Sequence, residues 1–110
     1  MKKFELVLVN LDPTVGHEVK KTRPCLIISP DEMNFALKTI IIAPLTSHPR
    51  AIPTRVTVKA TEQSGLTAES YVMLDQIKTI DKTRIIAIFG EISEPERQAV
   101  TDTLHALFAL

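Results

Sequence analysis

The sequence predicts a mainly β (α+β) fold: a small, partly open barrel of short antiparallel strands with a C-terminal amphipathic helix packed across it. Three observations carry this. The first is a series of short runs of strand formers separated by polar, turn-rich stretches. The second is a change to helical period in the last twenty residues. The third is a length of 110 residues, which suits one domain spanning 1–110 with no internal repeat.

Phe4 to Val9 reads as the first strand and ends at the turn signal Asn10-Leu11-Asp12-Pro13. Residues 10–22 collect turn and polar residues and read as a long loop, a frequent carrier of function in small domains. Cys25 to Ser29 is continuously apolar, which predicts a strand buried on both faces, with Pro24 at its start. Residues 30–35 are compatible with a helical turn or a loop. Thr39 to Leu45 is a strand, because Ile40-Ile41-Ile42 is too β-branched to favour helix. Arg55 to Lys59 alternates cleanly and reads as a half-solvated strand.

Residues 60–69 form a loop, and Ser70 to Ile77 a strand interrupted by Asp75-Gln76. Residues 80–83 read as a turn, and Ile85 to Phe89 as a short strand ended by Gly90. The expected total is five or six strands. Ser93 followed by Glu96 is the capping-box arrangement, and Pro95 fits the first helical turn. Val100, Leu104, Leu107 and Phe108 then share one helix face.

Composition excludes several classes. The chain is 45% hydrophobic and 24% charged, an ordinary globular balance. Thirteen basic residues balance thirteen acidic ones, so bulk charge does not hold nucleic acid or anionic membrane to it. The balance is uneven along the chain: residues 1–89 hold 12 basic and 9 acidic residues, and residues 90–110 hold 1 and 4. The neutral total is a mildly basic barrel cancelled by an acidic terminal segment. The single cysteine, Cys25, sits in an apolar run and reads as a buried, inert thiol, and no Cys/His spacing suits zinc. Neither a signal-peptide core nor a membrane-spanning run is present, which predicts a cytoplasmic protein.

Three polar clusters fall at strand ends or loops: His17-Glu18 with Arg23, Thr46-Ser47-His48, and Asp75-Gln76-Ile77-Lys78. Arg23 is either a surface arginine paired with Glu18 or Asp12, or a guanidinium held by the rigid Arg-Pro step and aimed at a phosphate. His17 is a solvated loop histidine or a proton carrier. Thr46 and Ser47 either satisfy turn backbone groups or donate to a phosphate. Asp75 and Gln76 interrupt an apolar strand, so they are edge-exposed or bonded; Gln76 suits a base edge, and Asp75 suits a base donor or Arg23. His48 and Lys78 carry weaker signals, and His105 reads as structural. The five aromatics do not form a stacking platform for RNA.

Val9-Asn10-Leu11-Asp12-Pro13-Thr14-Val15-Gly16-His17-Glu18 and Thr22-Arg23-Pro24-Cys25-Leu26-Ile27-Ile28-Ser29 resemble the opening signature of the MazF/PemK (Kid) toxin family. Ala43-Pro44-Leu45-Thr46-Ser47 and the stretch from Val72 to Lys82 match in the same order. The resemblance implies an SH3-like barrel with a C-terminal helix, a homodimer, and cleavage of single-stranded RNA at short sequences without a metal or other cofactor. It also implies a partner antitoxin, MazE-like, whose disordered C-terminal tail blocks the substrate groove.

Carried over by residue, it puts catalysis on Arg23 and Thr46, with Glu18 or His17 as the base. It puts RNA contacts on Asn10, Thr14, Gly16, Lys21, Ser47, Asp75, Gln76 and Lys78. Departures from the family pattern fall at Val19, at Lys21 and at Met73, where the PemK/Kid branch carries a catalytic arginine. An apolar residue there is closer to the MazF branch. Two other readings stand beside this one: a CcdB-like gyrase poison of the same fold, and an inactive relative that only binds RNA or antitoxin.

Overall fold

The structure, a computed structural model, describes residues 1–11 and 22–109. Among the described residues seven strands form one antiparallel sheet: β1 (Glu5–Asn10), β2 (Thr22–Ile27), β3 (Thr39–Thr46), β4 (Arg55–Val58), β5 (Ser70–Met73), β6 (Lys78–Asp81) and β7 (Ile85–Glu91). Helix α1 (Asp31–Ala36) precedes β3, and helix α2 (Glu94–Phe108) follows β7. The strand order is β4-β5-β3-β2-β1-β7, with β6 on the same side of β3 as β5. β4 and β7 are the outer strands and do not pair, so the barrel stays open.

β3 is the pivot. Its first half, Thr39 to Ile42, pairs with β6, and its last two residues, Leu45 and Thr46, pair with β5. The partner changes because Asp75 and Gln76 do not continue the strand. Leu74–Gln76 is instead a 3₁₀ turn, which divides the expected strand 70–77 into β5 and β6 and raises the strand count to seven. Other boundaries also moved. β2 begins at Thr22 rather than at Pro24 and ends at Ile27 rather than Ser29, so Arg23 lies inside it rather than before it. Residues 31–36 are helical, tied down by the Asn34 amide donating to the Ser29 carbonyl at 2.9 Å. Ile80 and Asp81 belong to β6, and the turn falls on Lys82–Arg84. β7 runs through Gly90 to Glu91, because a glycine permits the close approach described below.

Strand alternation builds two cores, one on each face of β1–β2–β3. Leu6, Leu26, Ala43 and Leu45 face Val56, Val58, Val72, Ile92 and Val100 on one side. Val7, Val9, Cys25, Ile27, Ile40, Ile42 and Ile80 cluster on the other. Burial on both faces explains the continuously apolar run from Cys25, as expected. α2 is anchored at its start: Glu96 accepts from the Ser93 N–H at 2.9 Å and from the Lys59 N–H at 2.8 Å, tying the helix to the end of β4. Its apolar face is only half used. Val100 is buried and Leu104 packs on the first core, but Leu107 and Phe108 are 39% and 63% exposed. His105, read as structural, is exposed on the same last turns.

Candidate active site

The antiparallel register of β2 and β3 ends with Cys25 opposite Pro44. Extending it by two residues puts Arg23 across from Thr46. Neither Pro24 nor Pro44 has an N–H to give the ladder, and the recorded pairing stops there. An open cleft of about 370 Å³ lies at this end, with Arg23, Pro24, Leu45, Thr46, Ser47 and His48 in its lining. The far wall comes from the stretch Leu66-Thr67-Ala68 and from Ser70.

That wall is held by Ser64, which is buried. Its hydroxyl donates to the Lys59 carbonyl at 2.9 Å and accepts from the Thr61 N–H at 3.0 Å, while its own N–H donates to the Thr61 hydroxyl at 3.0 Å. Gly65 has a φ of +68°, a left-handed conformation that suits glycine. Its α-carbon lies so close to the Phe89 carbonyl that an added Cβ would sit 2.5 Å from it.

Arg23 is half-buried, and among the described residues no carboxylate lies within ion-pair distance of it. Its carbonyl accepts weakly from the Cys25 thiol at 3.5 Å. Cys25 is fully buried and its pKa is pushed up to about 12. Loss of solvent is the main cause and outweighs the opposing positive charges of Arg23 and Lys78. The inert thiol expected from sequence is therefore what the fold produces. Thr46 ends β3 opposite Tyr71, and its hydroxyl oxygen accepts from the His48 N–H at 3.2 Å. That bond folds the chain back after β3 and leaves the Thr46 O–H as a donor.

The described members of the three polar clusters do not form one site. Asn10 ends β1 opposite Thr22, and its carbonyl accepts from Arg84 at 3.3 Å. Asp75 does not reach Arg23: its carboxylate accepts from Arg55 Nε at 2.8 Å, from Arg55 Nη2 at 3.2 Å and from the Thr54 hydroxyl at 3.0 Å. This is because the 3₁₀ turn sets it beside the edge strand β4. Gln76 is exposed on that turn, and Lys78 is exposed on β6, where it borders a smaller cavity with Leu11 and Arg84. None of the three lines the Arg23–Thr46 cleft. Met73 is buried. Thr14, Gly16, His17, Glu18 and Lys21 lie outside the described residues, as does Val19.

Sequence reasoning underrated His48, Ser70 and the 66–68 stretch as parts of this cleft. For His48 the signal was its place two residues after Thr46. For the far wall it was the β3–β5 pairing, which a single sequence does not reveal.

Among the described residues no helix is long and apolar enough to cross a membrane. The family described as PemK-like, MazF-like toxin of type II toxin–antitoxin system matches residues 2–108. The chain is 36% identical over 81 residues to the endoribonuclease PemK of Escherichia coli, an alignment covering 74% of this chain and 61% of that protein. It is 30% identical over 112 residues to the endoribonuclease EndoA of Bacillus subtilis, covering 100% of this chain and 96% of that one. Among solved structures, the MazE–MazF complex of Deinococcus radiodurans is similar with a TM-score of 0.84 at 26% identity, covering 100% of this chain and 96% of that chain. A MazF toxin of Mycobacterium tuberculosis has a TM-score of 0.81 at 25% identity, covering 96% and 97%. With the family match spanning nearly its whole length and the fold shared with MazF structures, the chain belongs to the PemK-like, MazF-like toxins of type II toxin–antitoxin systems.

Proposed function

We propose that this toxin is an endoribonuclease that cuts single-stranded RNA at short sequences, with the Arg23–Thr46 cleft as its active site. The reading rests above all on one observation: an arginine with no carboxylate within ion-pair distance among the described residues lines an open cleft together with Thr46. The nucleophile is the substrate's own 2′-oxygen, so the reaction needs no metal. That oxygen attacks the adjacent phosphorus, its proton passes to Glu18 or His17, and the bond to the 5′-oxygen breaks. The products are a 2′,3′-cyclic phosphate and a 5′-hydroxyl. Arg23 holds the charge that builds on the non-bridging oxygens, since its guanidinium stays protonated and matches phosphate geometry. Thr46 donates its O–H to one of the same oxygens. Asn10, Thr14, Gly16, Lys21 and Ser47 serve RNA binding beside the cleft, and Asp75, Gln76 and Lys78 serve it further along the surface.

The same reading makes residues 1–110 a single toxin domain acting in the cytoplasm as a homodimer. Ile86 and Ile88, 57% and 47% exposed on the outer strand β7, supply apolar surface for a second copy. It also gives the chain a MazE-like antitoxin, as in the Deinococcus radiodurans complex. The test is incubation of the purified protein with a long single-stranded RNA in EDTA. Discrete fragments bearing cyclic phosphate and 5′-hydroxyl ends are expected. Folded Arg23→Ala protein should cut about 10²–10³-fold more slowly. Cutting by Arg23→Ala at the normal rate sinks the site assignment. Gel shift without cutting, or gyrase inhibition, sinks the nuclease reading.

A further inference from the structure

We propose that His48 is the general acid of this cleft, giving its proton to the 5′-oxygen as it leaves phosphorus; the proposal rests on the RNA-cleavage reading above. The argument starts from what the leaving group requires. A 5′-alkoxide is a poor leaving group unless a proton reaches it as the bond breaks, and a positioned side chain supplies that proton best if it titrates near working pH. Among the described residues that line the cleft, Arg23 stays protonated and moves no proton. Thr22, Thr46, Ser47, Thr67 and Ser70 offer only hydroxyls. His48 is the one imidazole among them, a side chain that can both give and take a proton.

Its placement fits the role. The His48 backbone N–H donates to the Thr46 hydroxyl oxygen at 3.2 Å, so the backbone at His48 is tied to the group assigned to the non-bridging oxygen. The imidazole itself is exposed and open to a substrate. A displacement with entering and leaving oxygens on opposite sides of phosphorus needs an acid separate from the base. Among the described residues, the charged and titratable groups on the bordering elements are Arg23 and the buried Cys25 on β2, Arg50 in the same connection as His48, Glu69 just before β5, and Tyr71 on β5. The Tyr71 hydroxyl donates to Glu69 at 3.2 Å, so that carboxylate is already engaged.

In the balanced step the 2′-oxygen–phosphorus bond forms, the phosphorus–5′-oxygen bond breaks, and the His48 imidazolium proton ends on the 5′-oxygen. The neutral imidazole then takes a proton from water.

The test compares two RNA substrates, one ordinary and one with sulfur replacing the 5′-bridging oxygen at the cut. A thiolate leaves without being protonated. On the ordinary substrate His48→Ala and His48→Gln should each cut about 10²–10⁴-fold more slowly than the parent. On the sulfur substrate both should return to within a few-fold of it, whereas Arg23→Ala should stay slow on both. Normal cutting of the ordinary substrate by both His48 variants overturns the proposal, as does equal slowing on both substrates. If the unsubstituted protein cuts neither RNA, the nuclease reading fails and this proposal with it.

Discussion

Arg55 Nε donates to Asp75 Oδ1 at 2.8 Å and Arg55 Nη2 donates to Asp75 Oδ2 at 3.2 Å, a two-pronged pair between the edge strand β4 and the 3₁₀ turn after β5. The Arg55 side chain is 7% exposed and that of Asp75 is 32% exposed. The pair does two things. It pins the turn at which β3 exchanges one partner strand for another. It also engages the carboxylate that sequence made a candidate partner for Arg23.

Removing Asp75 should therefore weaken the fold more than a surface substitution does. In Asp75→Ala the buried Arg55 guanidinium loses its acceptors, and a buried donor left without a partner costs about 1–3 kcal/mol. Arg55 beside it is the main cause that holds the Asp75 carboxyl below its ordinary value. The sign follows from linkage. A depressed folded pKa stabilises above the unfolded value of about 3.9, and that contribution drains away as pH falls through the folded value. Urea midpoints at pH 7 and near pH 3 check it. The gap between parent and Asp75→Ala should be wide at pH 7 and narrower in acid. An equal gap at both would count against the ion pair as its source.

Cys25 should be silent in the folded protein. Its pKa near 12 and its full burial leave almost no thiolate at pH 8. A disulfide reagent of the dithionitrobenzoate type should label it only after denaturant is added, one thiol per chain. Labelling of native protein at the rate of a free thiol would show that this core opens far more readily than its packing suggests.

Glu96 is a second joint. Its two carboxylate oxygens accept from the Ser93 and Lys59 N–H groups, so one side chain caps α2 and closes the end of β4. Glu96→Ala should cost about 1–2 kcal/mol as a lost cap and bond. At roughly 4–8 °C per kcal/mol for a domain slightly smaller than this one, the melting temperature should fall several degrees, visible by circular dichroism. An unchanged melting temperature would mean water replaces both bonds without loss.

How much of this was readable in advance depends on the range of the interactions. Local signals were reliable. Ser93, Pro95 and Glu96 marked the start of α2, and the apolar run from Cys25 marked a strand buried on both faces. Long-range pairing was not readable. Nothing near Asp75 in sequence names Arg55 as its partner, because that contact depends on β4 lying beside β5. Likewise Leu107 and Phe108 carry the right helical period, yet α2 outruns the core it packs on. The cleft was half readable. Arg23 and Thr46 were found from their sequence blocks, but their opposition comes from the β2–β3 register, and the far wall comes from a loop with no recognisable signal.

That wall gives the last prediction. A Cβ on Gly90 would lie 2.0 Å from the Ser64 carbonyl oxygen, 2.4 Å from its carbon and 2.8 Å from the Gln63 oxygen, all backbone. The Glu91 N–H also donates to the Gln63 carbonyl at 3.0 Å, which holds the two segments together. Gly90→Ala must push the 61–65 stretch off β7, and overpacking of this kind costs about 1–3 kcal/mol. The displaced stretch leads directly into Leu66, Thr67 and Ala68, the far wall of the cleft. RNA cleavage by Gly90→Ala should thus fall even at temperatures where the variant stays folded, because the wall moves while Arg23 and Thr46 do not. Thermal melting and cleavage rates on one preparation check both halves. A parental melting temperature would refute the clash. A lowered one with undiminished cleavage in the folded range would show that the 66–68 wall takes no part in holding RNA.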